Sequence, residues 1–441
     1  MRRRSWMTRT RWAAVSVATS ATLLLSACSG PLKDLAPVTV TNNVTIGAPT
    51  KAGGATSDPS IPGGGTSSSD GSSSSAGNSS SAGNTGKPSS PAGSSTAPAT
   101  SGAAGQADGF KPTKLKAGEK PPQFIIVSFD GVGWHEKWQY WFDIMQKVPF
   151  HFTGFLSGTY MLSTATKDKY QGPGHGVGKA SIGWNEPSDL PVEIADLNKS
   201  LAAGNEIGTH FNGHFCSDNV PGGNDWNNDD WNNELDQFFA LVKNVNGNNN
   251  LPSSTKLNLP ASEIKGERTP CLEGHSEDLF PALKAHGITY DSSFTRRGIS
   301  WPTQSKDNKI WQFGMAEFPM HGTSHYQITM DYNFYYTQRQ ASSNGVTPEQ
   351  SKSDSAQVQA TYQDMYNVAF NGNRAPLVLG NHFNSWNNNA YSDAIGNFVL
   401  ANCGKPNTYC VPFRDVISWM NVQDPARLAQ LQAEDPQEKA G

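Results

Sequence analysis

The chain has 441 residues and a formal net charge of −4, with 34 Lys and Arg against 38 Asp and Glu. Neutralising phosphate needs clustered Lys and Arg, so this balance argues against nucleic acid as a partner. The mean hydropathy of −0.53 excludes a polytopic membrane protein, and the length allows two or three domains of about 150 residues each.

The first 27 residues predict an export signal. Five arginines precede residue 12, an apolar stretch runs from Trp12 to Leu25, and Leu25-Ser26-Ala27-Cys28 follows. This order is typical of a secretory signal and is too short and polar for a membrane span. Cys28 resembles the lipobox cysteine of bacterial lipoproteins, which implies a diacylglycerol on its sulfur and anchoring to the outer face of the cell membrane, facing the cell wall. An ordinary secretion signal with an accidental cysteine is the alternative.

Residues 28–122 predict a disordered linker. Between Pro62 and Gly109 there is no Val, Ile, Leu, Met or aromatic residue, and Gly, Ser, Ala, Thr, Pro and Asn dominate. Such a segment cannot bury enough apolar surface to offset the entropy lost on ordering. We therefore expect a flexible tether.

Apolar patterning predicts one folded domain over residues 123–422, followed by a polar tail over 423–441 that frays. Strands are predicted at 124–129, 206–210, 288–290, 377–379 and 409–411. Helices are predicted at 192–203, around 235–242, at 279–286, from 347 toward 370 and at 394–401. Strands that alternate with helices predict an α/β fold built on a parallel sheet or barrel.

Four cysteines remain after Cys28, an even number that suits an oxidising compartment. Cys403 and Cys410 flank a turn that contains Gly404 and Pro406, so we pair them. Cys216 then pairs with Cys271. A zinc site is the rival interpretation, but the sequence has no Cys-x-x-Cys spacing.

The candidate chemistry lies where predicted strands end. His210 and His214 are four residues apart after one strand, Asp130 directly follows another, and His382 follows the strand at 377–379. In parallel α/β folds the carboxyl ends of strands meet on one face, so these side chains can converge. His321 and His325 have the same spacing after a poorer strand, so the spacing alone is not specific.

Six segments together resemble the polysaccharide deacetylases, that is, the NodB-homology or carbohydrate esterase family 4, and within it the chitin deacetylase-like branch. They are Val127-Ser128-Phe129-Asp130-Gly131, Gly204–His214, Gly266-Glu267-Arg268-Thr269-Pro270, Gly287–Ser293, Asn373–His382 and Val416–Met420. Their order and spacing cover residues 123–422.

This resemblance implies a distorted (β/α) barrel and metal-dependent removal of acetyl groups from an N-acetylated glycan. It implies that His210 and His214 bind the metal and that His382 is the general acid. Arg268 corresponds to the arginine that orients the base, and Asp291 corresponds to a residue that supports the site without touching the metal. Zinc is the expected metal because it accepts imidazole ligands readily.

The first segment departs from the family pattern, which has two adjacent aspartates, the first a base and the second a metal ligand. Here only Asp130 is present and Gly131 follows it. Asp130 is then either the base, with the metal held by two histidines, or a metal ligand, with the base lost. Glu136 and Glu273 are candidates for the missing carboxylate.

We expect a monomeric, cell-surface deacetylase that acts on peptidoglycan, a chitin-like polymer or an exopolysaccharide. The alternative is a deacetylase-like lipoprotein with weak or no activity that binds glycan. Trp226, within an Asn-rich and Asp-rich segment, and Trp386, just after His382, are candidates for stacking on sugar rings.

Overall fold

A computed structural model describes residues 110–438. The predicted signal peptide, Cys28 and most of the predicted linker lie outside the described residues. Phe110 is buried against Phe124 and Tyr409, with ring centroids 5.7 and 5.2 Å apart. The packed region therefore begins before the predicted boundary at residue 123.

Strands and helices alternate along the chain. The strands are β1 (Gln123–Asp130), β2 (Thr153–Leu156), β3 (Glu206–Thr209), β4 (Gly266–Glu267), β5 (Tyr290–Asp291), β6 (Thr295–Arg297), β7 (Thr303–Gln304), β8 (Trp311–Gln312), β9 (Met315–Pro319), β10 (Tyr326–Ile328), β11 (Leu377–His382) and β12 (Thr408–Cys410). The helices are α1 (His135–Met145), α2 (Leu190–Ala202), α3 (Asn228–Lys243), α4 (Val245–Asn249), α5 (Ser276–Ala285), α6 (Asp331–Arg339), α7 (Pro348–Asn371), α8 (Trp386–Asn402), α9 (Phe413–Asn421) and α10 (Pro425–Gln432).

The main sheet runs in the order β11-β1-β2-β3-β4-β5-β8-β7, and β12 also pairs with β1. All of these pairs are parallel except β7 with β8. Every residue of β1 is buried, as expected for a central parallel strand covered on both faces. The sheet curls into an incomplete barrel, which confirms the predicted α/β fold class with its distorted (β/α) barrel.

A second sheet of order β10-β9-β6 lies against the β11 edge. The backbone N–H of Gly380 donates to the carbonyl of Thr329 at 3.0 Å, and Met330 forms a parallel bridge with Gly380. Helix α6 begins at the next residue. This small sheet therefore delivers the first residue of α6 to the end of β11.

The sequence misjudged two regions near the carboxyl terminus. Helix α8 is assigned from Trp386 rather than 394, and its first turn contains Asn387, Asn388 and Asn389 in the left-handed conformation, which asparagine tolerates better than most residues. The described part of the tail contains α10, which is capped by the Asp424 side chain and buries Leu431, so residues 425–432 are helical rather than frayed.

Both predicted disulfides are present. Cys216 bonds to Cys271 and Cys403 bonds to Cys410. Between residues 110 and 438, no helix combines the length and apolar character needed to cross a bilayer.

Close packing of β4 against β5 generates a stability prediction. A Cβ atom at Gly266 would lie 1.7 Å from the buried ring of Tyr290, so Gly266→Ala must displace this ring or the strand. We expect the free energy of unfolding, measured in urea, to fall by about 1–3 kcal/mol. Gly247→Ala is the control, because nothing lies within 4 Å of its Cβ position. Equal stability of the two variants would contradict this account of the β4–β5 contact.

Candidate active site

Four predicted site residues lie at the carboxyl ends of neighbouring strands. Asp130 ends β1 and His382 ends β11, and these two residues are paired in register. His210 follows β3, and Arg268 follows β4. The strands β11-β1-β2-β3-β4 are parallel and about 4.8 Å apart. Their carboxyl ends, with these side chains, therefore lie together at one end of the barrel.

Asp130 forms a buried ion pair with Arg268. Arg268 Nη1 donates to Asp130 Oδ1 at 2.8 Å, and the two side chains are 0% and 3% exposed. Burial alone would raise the pKa of the Asp130 carboxyl, but the charge of Arg268, helped by His210 and His382, offsets burial and leaves the pKa below its ordinary value of 3.8. Asp130 is therefore held as a carboxylate.

His382 is paired with Asp331, the first residue of α6. His382 Nδ1 lies 2.7 Å from Asp331 Oδ1, and the His382 backbone N–H donates to Asp331 Oδ2 at 2.8 Å. Burial would lower the pKa of His382, but the Asp331 carboxylate outweighs burial and raises the pKa above 6.5. The ring is therefore held toward its protonated form, and Nε2 is the nitrogen left for a substrate.

Two neutral imidazoles face each other beside this pair. The rings of His210 and His214 are 5.2 Å apart, edge to face. Loss of water lowers the pKa of both rings, to about 3 for His214, where His210 adds to the effect. His210 Nδ1 lies 2.7 Å from the Arg268 carbonyl oxygen, which fixes Nδ1 as the protonated nitrogen and leaves a lone pair on Nε2.

The histidine pair fits a divalent metal. His210 Nε2 is buried and has no hydrogen-bond partner among the described residues, and the bond from Nδ1 to a carbonyl is the usual support of a metal-binding imidazole. A third protein ligand is not assembled. Within residues 110–438, the one group of three ligand atoms lying within 4.8 Å of each other is His214, Cys216 and Cys271.

The structure does not bring the missing carboxylate to the histidines. Neither Glu136 nor Glu273 belongs to a group of three such ligand atoms in the part of the chain that the structure describes. Glu273 instead accepts a hydrogen bond from the Ser217 backbone N–H at 3.0 Å. At the position of the absent second aspartate, Gly131 has φ +62°, where a side chain would be strained.

Arg268 is fixed from behind by the end of β5. Its Nε donates to the Ser292 carbonyl oxygen at 2.9 Å and its Nη2 to Ser292 Oγ at 2.9 Å. The predicted supporting residue Asp291 is paired in register with Glu267. Burial, then the charge of Asp291, raises the pKa of Glu267 well above its ordinary value, so Glu267 is neutral beside the arginine. Sequence reasoning missed Glu267.

The loop that carries His214 is held by two buried side chains that the sequence did not reveal. Tyr170 Oη donates to both Glu234 oxygens, at 2.9 and 3.1 Å, and accepts from the Gly213 backbone N–H at 3.0 Å. A Cβ at Gly213 would lie 2.5 Å from Tyr170 Oη. Because Gly213 has no side chain, the Tyr170 hydroxyl can bond to the backbone directly before His214.

The two predicted sugar-binding tryptophans occupy different environments. The ring of Trp386 is 5.3 Å from that of His382 and stacks on Tyr335 at 5.5 Å. Trp226 is 2% exposed and packs edge to face on Trp231 at 4.8 Å. The substrate-binding role predicted for Trp226 is not supported, because its ring faces are covered by the core.

The sequence therefore identified Asp130, His210, His214, Arg268 and His382 as neighbours, and it missed Asp331. No motif pointed to Asp331, because its approach to His382 depends on the second sheet. The one weak signal was that Asp331 is an acidic residue at the start of an aromatic-rich helix. Negative charge is stabilising at the N-terminus of a helix.

Comparisons with known proteins find distant structural relatives only. No family model matches the chain, and no curated protein matches it. A proposed polysaccharide deacetylase from Mycobacterium smegmatis is similar at 14% identity and TM-score 0.43, over 75% of this chain and 98% of that one. A family 4 carbohydrate esterase from Streptomyces lividans is similar at 11% identity and TM-score 0.33, over 65% of this chain and 91% of that one. A peptidoglycan deacetylase from Bacillus subtilis is similar at 10% identity and TM-score 0.33, over 70% of this chain and 91% of that one. These values transfer no activity, metal or substrate to this chain.

The His382–Asp331 contact generates a titration prediction. Asp331→Asn removes the negative charge that raises the pKa of His382, so we expect the pKa to fall and the ring to lose its proton at lower pH. Proton and nitrogen NMR of the imidazole measures this shift. Asp364→Asn is the matched control, because Asp364 pairs with His321 at 2.7 Å on the surface. An unchanged His382 pKa in Asp331→Asn would contradict the assignment.

Proposed function

We propose that this chain is a hydrolase that removes N-acetyl groups from a glycan. One observation carries the proposal. Asp130 and His382 are register neighbours at the ends of β1 and β11, and their pKa values are shifted in opposite directions. A carboxylate kept ionised beside an imidazolium kept protonated is the arrangement expected of a general base and a general acid.

The two residues divide the proton transfers of amide hydrolysis. Asp130 accepts a proton from the attacking water as the water oxygen adds to the acetyl carbon. His382 donates its Nε2 proton to the amide nitrogen as the C–N bond breaks, which gives acetate and a free amine on the sugar. Arg268 holds one oxygen of Asp130, and Asp331 holds Nδ1 of His382, so each group presents its remaining atom.

His210 and His214 would hold the metal. When bound, a divalent cation would supply Lewis-acid polarisation of the amide carbonyl, and zinc suits imidazole ligands. Trp386, against His382, provides a ring next to the acid on which a sugar can stack. Stacking there would place the acetamido group of a peptidoglycan, chitin-like or exopolysaccharide chain near Asp130.

We propose that the protein works outside the cell membrane, anchored through lipid on Cys28 and reaching the glycan by its long linker. The two disulfides between residues 110 and 438 support export, because such bonds persist in oxidising compartments. We propose a monomer for this tethered form.

A second candidate function is glycan binding without turnover. It is favoured by Gly131 and by the fact that, in the described part of the chain, Asp130, His210 and His214 do not form a group of three ligand atoms within 4.8 Å. Two histidines alone would hold a metal weakly. In that case the same cleft would retain N-acetylated oligosaccharides and release no acetate.

Acetate release from N-acetylated oligosaccharides tests the first function against the second. In variants that circular dichroism shows to be folded, we expect His382→Ala and Asp130→Asn each to lower kcat by about 10²–10⁴-fold, because each removes one proton transfer. Activity should extend above pH 6.5, since a raised pKa keeps His382 protonated there, and fall as pH rises further. His321→Ala, which changes an exposed surface histidine, should retain full activity.

Undiminished acetate release in both site variants would contradict the assignment of base and acid. Oligosaccharide retention by the folded, zinc-loaded chain without any acetate release would contradict hydrolysis and leave glycan binding as the function.

A further inference from the structure

A disulfide lies directly against one of the two proposed metal-binding histidines. Cys216 Sγ is 3.7 Å from His214 Nδ1, and Cys216 is bonded to Cys271. In the described part of the chain, these three residues form the one group whose ligand atoms all lie within 4.8 Å of each other. The sequence predicted the Cys216–Cys271 pair, but it did not indicate that His214 lies beside it.

The sulfur atoms cannot bind a metal while they are joined, because the ligand is a thiolate. A dithiol or phosphine reductant supplies two electrons, the S–S bond breaks, and two protons from solvent give two thiols, while the reductant is oxidised. A zinc ion that binds these sulfurs releases both thiol protons to solvent. Two thiolates and one imidazole are ligands that zinc prefers.

Hydrogen bonds join the two cysteine segments in addition to the S–S bond. The Ser217 backbone N–H donates to Glu273 Oε1 at 3.0 Å, which joins the residue after Cys216 to the one two places after Cys271. The Gly274 backbone N–H donates to Asn224 Oδ1 at 2.9 Å. We expect these bonds to keep the sulfurs near His214 after reduction.

We propose that reduction of the Cys216–Cys271 disulfide creates a zinc site formed by Cys216, Cys271 and His214 Nδ1. This site shares His214 with the proposed catalytic metal pair and takes its other two ligands from the sulfurs, and its fourth position is left to solvent. His214 belongs to both groups, so zinc held by the sulfurs competes for His214 with a metal shared with His210. That last consequence rests on the proposed function, whereas the sulfur site does not.

Zinc protection of cysteines in the full chain tests the proposal. The chain is reduced anaerobically, the reductant is removed, and alkylation of each cysteine is followed by mass spectrometry with and without zinc. We expect zinc to abolish alkylation of Cys216 and Cys271 and to leave the alkylation of Cys403 and Cys410 unchanged. The second cysteine pair is thus an internal control, and acetate release plays no part in the readout.

Cobalt(II) then reports the ligands directly. The reduced chain should show sulfur-to-cobalt charge-transfer absorption that zinc abolishes, and the oxidised chain should not. His214→Ala should weaken cobalt binding at least about tenfold. His175→Ala is the matched control, because His175 lies in the same region, stacked on Phe215, and should bind cobalt normally.

Alkylation of Cys216 and Cys271 that is the same with and without zinc would overturn the proposal. Cobalt binding without sulfur charge transfer, or unchanged cobalt affinity in His214→Ala, would also overturn it. A reduced chain that unfolds would show equal alkylation and would count against the site, while the proposed deacetylase activity of the oxidised chain would remain open to its own test.

Discussion

The buried ion pair between Asp130 and Arg268 is the constraint on which the candidate site depends. It joins the end of β1 to the segment after β4 across the barrel, with both side chains almost fully out of water. Removing either partner would leave an uncompensated buried charge, which is strongly destabilising. Arg268 donates to Asp130 through Nη1 and to the carbonyl and hydroxyl oxygens of Ser292 through Nε and Nη2. Each guanidinium nitrogen therefore has a hydrogen-bond partner.

The rest of the site follows from how this charge is balanced. Asp130 stays ionised because Arg268 lies against it, and burial, reinforced by the nearby Asp291 carboxyl, raises the pKa of Glu267 well above its ordinary value. On the other side of β1, Asp331 balances His382. Opposite charges therefore lie next to each other at this end of the barrel. The proposed proton acceptor, Asp130, and the proposed proton donor, His382, lie on neighbouring strands.

Local sequence signals predicted much of the fold. Helix α7 begins at the predicted position near residue 347, with a capping box between Thr347 and Gln350. Strands β1 and β11 coincide with their apolar runs. The sequence placed Asp130, His210 and His382 near each other because each lies at the carboxyl end of a strand in a parallel sheet. In such sheets the carboxyl ends of all strands lie on the same side.

The missed residues depend on contacts between distant segments. Asp331 reaches His382 across 51 positions of sequence, and Tyr170 reaches Glu234 across 64, and no local pattern encodes such distances. Trp226 was misjudged for a related reason. Its polar neighbours suggested an exposed groove, but Trp231, one helical turn into α3, covers its ring.

Metal content of the oxidised, purified chain tests the account most directly. In equilibrium dialysis against zinc we expect about one bound zinc ion per chain. We expect His210→Ala to lose that ion, because the buried Nε2 of His210 has no partner among residues 110–438. A folded chain that retains no zinc would contradict the metal site, and retention of zinc by His210→Ala would show that the metal binds elsewhere.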